Sequence, residues 1–310
     1  TGGDLFWTAN EGPYRITADL TIPPDATLTI GAGTTVFFDP NVRLIVEGRL
    51  VAEGTAYETI RFTRTPELGG TWGGLQFLDS PHDNRICHAV IEYGRTIDGM
   101  VGLENSSLLL DHVTFDHTDL RRIRTIDSSL VVRNCVFTDM FAPGEPPSTD
   151  NLSEHIWGRG VPAAGRFILD GNVFGRTPGH NDAVDFDGAT RPDAIPQILN
   201  NVFLGGGDEA LDLETDAHIE GNVFMDYIED RFNRTPRESN AISAGAGRDY
   251  VVVRNVFRQV EHVAQIKDRA FMWFENNTVV DANAAVFYFE IPGQTTSPGR
   301  GVRIDSCIFR

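Results

Sequence analysis

Apolar and polar residues alternate over short runs along most of the chain, the period-two signature of strands with one wet face. Ala183-Val184-Asp185-Phe186-Asp187 and Ala210-Leu211-Asp212-Leu213-Glu214 show it, as do Ala241-Ile242-Ser243-Ala244-Gly245 and Ala264-Gln265-Ile266-Lys267. Amphipathic helical stretches of useful length are absent. A second phrase recurs between these runs: an apolar strand, an Asn, a β-branched residue, then Phe. Examples are Ile198-Leu199-Asn200-Asn201-Val202-Phe203 and Ile219-Glu220-Gly221-Asn222-Val223-Phe224. Val252-Val253-Arg254-Asn255-Val256-Phe257 is another, and Ser306-Cys307-Ile308-Phe309 is a weaker copy.

Uninterrupted copies lie 21–22 residues apart, as from Asn201 to Asn222 and from Asn255 to Asn277. That period is too short for helix pairs and suits one coil of three short strands. A coil cannot bury its apolar side alone, so stacking must make the core continuous. The recurrent Asn falls where the chain bends between strands. It tolerates left-handed geometry there, and its amide can bond to the Asn of the next coil. The predicted fold is all-β: a single-stranded right-handed parallel β-helix, or solenoid, over residues 1–310. Residues 1–80 form less regular first coils, and 81–310 form regular coils with loops inserted at 142–151, 188–196 and 227–239.

The pattern resembles the right-handed parallel β-helix repeat proteins of the pectate-lyase-like superfamily. The opening Ile16-Thr17-Ala18-Asp19-Leu20-Thr21-Ile22-Pro23, the stretch Gly31-Ala32-Gly33-Thr34-Thr35-Val36 and Trp72-Gly73-Gly74 look like first coils of such proteins. Gly207-Asp208-Glu209-Ala210-Leu211-Asp212-Leu213 looks like β-helix regions of large extracellular bacterial proteins. The resemblance implies this fold and a secreted or cell-surface location. Members include lyases, glycosidases, epimerases and adhesins, so fold alone does not choose an activity.

Composition narrows the partners. Net charge is −18, which disfavours a nucleic-acid partner and suits calcium. No apolar run reaches the roughly 18 residues needed to span a bilayer, so membrane insertion is not expected. The start at Thr1 without a methionine suggests a piece of a longer chain with flanking domains. Three cysteines, Cys87, Cys135 and Cys307, give no disulfide framework and read as free, buried thiols.

Stacking the alternating runs in register yields two outward columns. One is Trp157, Asp185, Asp212, Ser243, Gln265; its neighbour is Arg159, Asp187, Glu214, Gly245, Lys267. Like carboxylates one strand spacing apart repel by roughly 1–3 kcal/mol per pair. A calcium ion on Asp185, Asp187, Asp212 and Glu214 would offset that, since calcium takes six to eight hard oxygens. Asp182, Asp208 and Glu209 are close enough in sequence to add ligands. On this reading the face acts on or binds a polysaccharide or cell-surface glycan. In a calcium-assisted lyase of acidic glycans, Lys267 or Arg159 would remove the sugar's C5 proton, with Asp185 and Asp212 on the adjacent coils. In a hydrolase those carboxyls would serve as acid and base. Trp157 offers a ring for a sugar, and Arg122 and Arg124 offer charge for an anionic one. The alternative is a non-catalytic structural or adhesive solenoid.

Overall fold

A computed structural model describes residues 3–141, 146, 152–232, 239–289 and 297–310. The chain winds into a parallel β-solenoid of about 11 turns, whose strands form three parallel ladders. The first carries Thr27–Gly31, Ser129–Arg133, Ala217–Glu220 and Phe271–Glu275. The second carries Thr35–Phe38, Val173–Phe174 and Val202–Phe203. The third, the site face, carries Leu75–Leu78, Val101–Glu104, Ile123–Ile126, Ile156–Arg159, Val184–Asp187, Leu211–Glu214 and Asn240–Ala244. Among the described residues the only helical element is the 3-10 turn Pro66–Leu68.

Alternation explains the core. Val184 and Phe186 are fully buried while Asp185 and Asp187 point out, and Leu211 and Leu213 repeat the pattern one coil on. The phenylalanines of the repeated phrase stack inside: Phe115, Phe137, Phe174, Phe203, Phe224 and Phe257 follow one another at 4.7–4.9 Å with nearly parallel rings. Each is held by the coils on both sides, so the stack ties the whole solenoid together.

The bend between the first and second ladders divides two tasks that the sequence assigns to one asparagine. The left-handed residue comes first: Asn134, Asn200, Arg254 and Asn276 have φ of 54, 55, 57 and 56°. Gly171 and Gly221 take the same place at 68 and 69°. The residue after it faces inward and forms the ladder. The backbone N–H and Nδ2 of Asn201 both donate to Asn222 Oδ1, at 2.9 and 3.0 Å. Asn222 does the same to Asn255, and Asn255 to Asn277. Cysteine replaces asparagine at two positions. Cys135 Sγ accepts from the Val113 N–H and Cys307 Sγ from the Asn277 N–H, both at 3.4 Å. All three cysteines are free. Burial pushes the Cys135 thiol up to about 12, whereas Cys87 and Cys307 are only half-buried.

Of the expected insertions, 142–145, 147–151 and 233–238 lie outside the described residues. The loop at 188–196 folds back on the coil: the Arg191 N–H donates to Asp216 Oδ2 at 2.7 Å.

Candidate functional site

The predicted columns stand in register on the site face. Trp157 pairs with Asp185, Asp185 with Asp212, Asp212 with Ser243 and Ser243 with Gln265. Arg159 pairs with Asp187, and Asp187 with Glu214. A third column, three residues before the first and at the corner entering each strand, escaped the sequence reading. It runs Arg121, Glu154, Asp182, Glu209, Asn240, His262, following the same pairings. Its signal was present, because Glu154, Asp182 and Glu209 each precede a buried apolar strand residue by two.

Two adjacent coils therefore present Asp182, Asp185 and Asp187 over Glu209, Asp212 and Glu214. Burial, then Asp212 and Glu154, raise the pKa of Asp185 to about 8. Burial raises Asp182 and Glu209 well above the usual carboxylate range, with Asp208 the next cause for each. Burial also raises Asp187 and Glu214. Asp208 is almost fully buried, and its Oδ2 is 2.6 Å from His180 Nδ1. The other oxygen, Oδ1, is buried, and the Asp208 and Glu209 carboxyls lie within hydrogen-bonding reach of each other, which adds to the rise at Glu209.

Among the described residues, carboxyl oxygens of Asp182, Asp208 and Glu209 converge within 4.8 Å of one another. The quartet expected from the sequence, Asp185, Asp187, Asp212 and Glu214, makes no such group. Alternate residues on one strand are roughly 6.6 Å apart, so 185 and 187 diverge. The chain corner before each strand brings 182, 208 and 209 together instead.

Cations bracket the carboxyls. Lys267 crosses the side-chain-free Gly245, where a Cβ would lie 3.1 Å from its Cε, and its Nζ reaches 3.7 Å from Asp212 Oδ1. Burial acts to lower the Lys267 pKa. Asp212, Glu209 and Glu214 outweigh it, and the net shift is upward. At the other end Arg121 pairs with Glu154 at 2.5 Å, and its guanidinium carbon is 4.7 Å from the Trp157 ring centre. Arg124 lies 5.6 Å from the same ring. Trp157 thus already carries two guanidinium groups. Arg159 is exposed, and its charge opposes the rise at Asp187.

Arg122 corrects the expectation of an anion-binding side chain. It is wholly buried inside the solenoid: it precedes the strand Ile123–Ile126, and the corner there turns it inward beside the equally buried Ile123. It donates to His155 Nδ1 and Thr138 Oγ1, while the His155 Nε2–H donates to the Gly175 carbonyl. Burial lowers its pKa to about 9. Of the nearby histidines, His155 faces the core, His180 meets Asp208, and His262 is buried in the third column.

No protein-family model matches the chain. A stretch of 145 residues, 42% of the chain, is 31% identical to Protein bark beetle of Drosophila melanogaster and spans 4% of that protein's length. A mannuronic-acid-specific polysaccharide family 6 lyase from human gut microbiota superposes with a TM-score of 0.51 at 10% identity, covering 99% of this chain and 82% of that one. An alginate lyase from Paenibacillus gives 0.49 at 15% identity over 92% and 97%. The Streptococcus pneumoniae surface protein and adhesin PfbA gives 0.43 at 10% over 99% and 89%. Among the described residues no helix is long and apolar enough to cross a membrane. With its three parallel ladders and inward-facing phenylalanine stack, the chain is in fold a parallel β-helix.

Proposed function

We propose that the site face binds an acidic polysaccharide laid along the solenoid axis and cleaves it. The observation that carries this reading is the convergence of the Asp182, Asp208 and Glu209 carboxyls within 4.8 Å, on the same face as Asp185 with its pKa near 8. Hard oxygens in that arrangement fit calcium. Asp182, Asp208 and Glu209 would hold it, and the bound ion would supply the positive charge that lets an acidic sugar approach an acidic face.

The chain's own residues divide the remaining work. Asp185 keeps its proton at neutral pH and can donate it to a glycosidic oxygen. Asp212 is directly paired with Asp185 one coil away, the close spacing of a retaining pair: it would bond to the anomeric carbon as the glycosidic oxygen leaves with the Asp185 proton, and water, deprotonated by Asp185, would then release the sugar. Lys267 is held as an ammonium by its acidic neighbours, which suits it to binding a sugar carboxylate better than to removing a proton. Trp157 lines the upstream approach. Such a module would work outside the cell, within a longer chain.

The test is digestion of acidic polysaccharides with calcium or with chelator. New reducing ends without unsaturated product, lost in Asp185→Asn, are expected. Calcium should also raise the melting temperature, and Asp208→Asn should remove that rise. Unsaturated product abolished by Lys267→Ala would assign the base role to Lys267 and elimination to the face. No binding or cleavage of any acidic polysaccharide would leave the stiff structural or adhesive solenoid as the better reading.

A further inference from the structure

The site face continues upstream of the carboxyls onto coils that the cleavage chemistry does not use. Its outward column there runs Gln76, Gly102, Arg124, Trp157. Gly102 carries no side chain, and its neighbours close over it: a Cβ at this position would fall 2.1 Å from Gln76 Oε1 and 2.6 Å from the Asp98 carbonyl oxygen. Gln76 drawn in over the glycine leaves a notch beside it of about 140 Å³, lined by Arg43, Gln76, Asp98, Glu104 and Arg124 among others.

The polar groups of the notch are unequally engaged. Gln76 Nε2 donates to the Gly99 carbonyl at 3.1 Å and is fixed as floor. Arg43 chelates Asp19 through Nε and Nη2 at 3.0 and 2.7 Å. Arg124 is one-quarter exposed, and its one ion pair among the described residues is a loose 3.8 Å approach to Asp98. Trp157 stands beside its guanidinium and limits where the side chain can go. The result is an oriented, lightly engaged fork whose geometry matches a carboxylate. Asp98 and Glu104 on the rim are acceptors only. A ligand that satisfies both must offer an anionic acceptor and hydroxyl donors together, which describes an acidic sugar unit better than a bare anion.

We infer that the notch is a distal subsite that holds a carboxylate-bearing sugar of the same glycan, gripped chiefly by Arg124 with Arg43 beside it. The inference rests on the glycan reading above. Gly102 and Asp185 are three coils apart, about 14 Å at the strand spacing. A short oligomer at Asp185 cannot reach the notch, whereas a longer one can. Arginine at one end and Lys267 at the other make the two directions along the face unequal, so the notch also fixes which way the chain lies.

Calorimetric titration of the Asp185→Asn protein with uronate oligomers of increasing length, and with their carboxyl-reduced counterparts, tests this. Affinity should step up about tenfold once the oligomer is long enough to reach the notch, the gain of one charge-assisted contact. Arg124→Gln should erase the step and leave the shortest binding oligomers unchanged, and carboxyl reduction should erase it without any change to the protein. A flat length dependence would overturn the subsite. So would equal weakening of every oligomer by Arg124→Gln, or a reduced long oligomer that binds as tightly as the acidic one. In each of those cases the glycan reading survives. If oligomers of all lengths fail to bind, both readings fall together.

Discussion

The asparagine corner and the site face use the same geometry to opposite effect. Each repeats one position coil after coil at the strand spacing. At the corner, the repeated group is both donor and acceptor, so Asn201, Asn222 and Asn255 satisfy one another down the column. On the site face, the repeated group is a carboxyl, which only accepts when ionised. Asp185 over Asp212 and Asp187 over Glu214 therefore repel. A solenoid amplifies whatever it stacks. A polar interior column that complements itself stabilises the fold, and an unsatisfied charged column stores a demand that a proton, a cation or a ligand must meet.

Substitutions can break this contrast. The largest effect should come from the aromatic stack behind the corner. Phe203→Ala removes a fully buried ring between Phe174 and Phe224 and should cost about 3–5 kcal/mol in denaturant unfolding. Next comes the site face, with the opposite sign. Asp185 has a folded pKa raised from 3.8 to about 8. Below pH 4 both states hold the proton, and the contribution to stability is constant. Between about pH 4 and 8 only the unfolded state releases it, so stability falls as pH rises; about four units at about 1.4 kcal/mol each bound the fall, and relaxation with water entry around the charged carboxyl brings it to about 2–4 kcal/mol. Asp185→Asn should flatten this part of the profile and make the protein more stable than its parent at neutral pH, while abolishing cleavage. A variant that melts like its parent at pH 7.5 would contradict the stored repulsion.

A smaller loss, about 2 kcal/mol, should follow Asn222→Ala, which strips the buried Asn201 N–H of its acceptor. Faster amide exchange at Asn201 would report the same break locally. Smallest is Arg133→Ala, which removes a half-exposed partner of Asp111 at 2.7 Å and should change stability by about 0.5 kcal/mol. A loss there as large as at Asn222 would erase the distinction between interior ladders and surface pairs.

Much of this was legible in the residues. The recurring Asn-Val-Phe phrase set the phase of each coil, and phase carried the alternation of Val184, Asp185, Phe186 and Asp187 with it. The columns through Asp185 and Asp212 followed from counting. Counting failed at corners and insertions. Arg122 reads as surface charge because it stands between Arg121 and Arg124, yet the corner before Ile123 breaks the alternation and turns it into the core. Asn134 reads as a ladder asparagine but supplies the left-handed bend, and Cys135 takes the ladder place.

The sequence by itself determined the coil, its three faces and the vertical neighbours of the regular strand residues, because a period-two strand repeated at a near-constant interval leaves one register that turns its apolar face to the core. Tertiary structure alone decided which polar groups meet. The convergence of Asp182, Asp208 and Glu209, the path of Lys267 over Gly245 and the notch at Gly102 all arise where separate coils approach. Those distances depend on how each corner turns, and a corner's geometry is fixed by the coils packed above and below it.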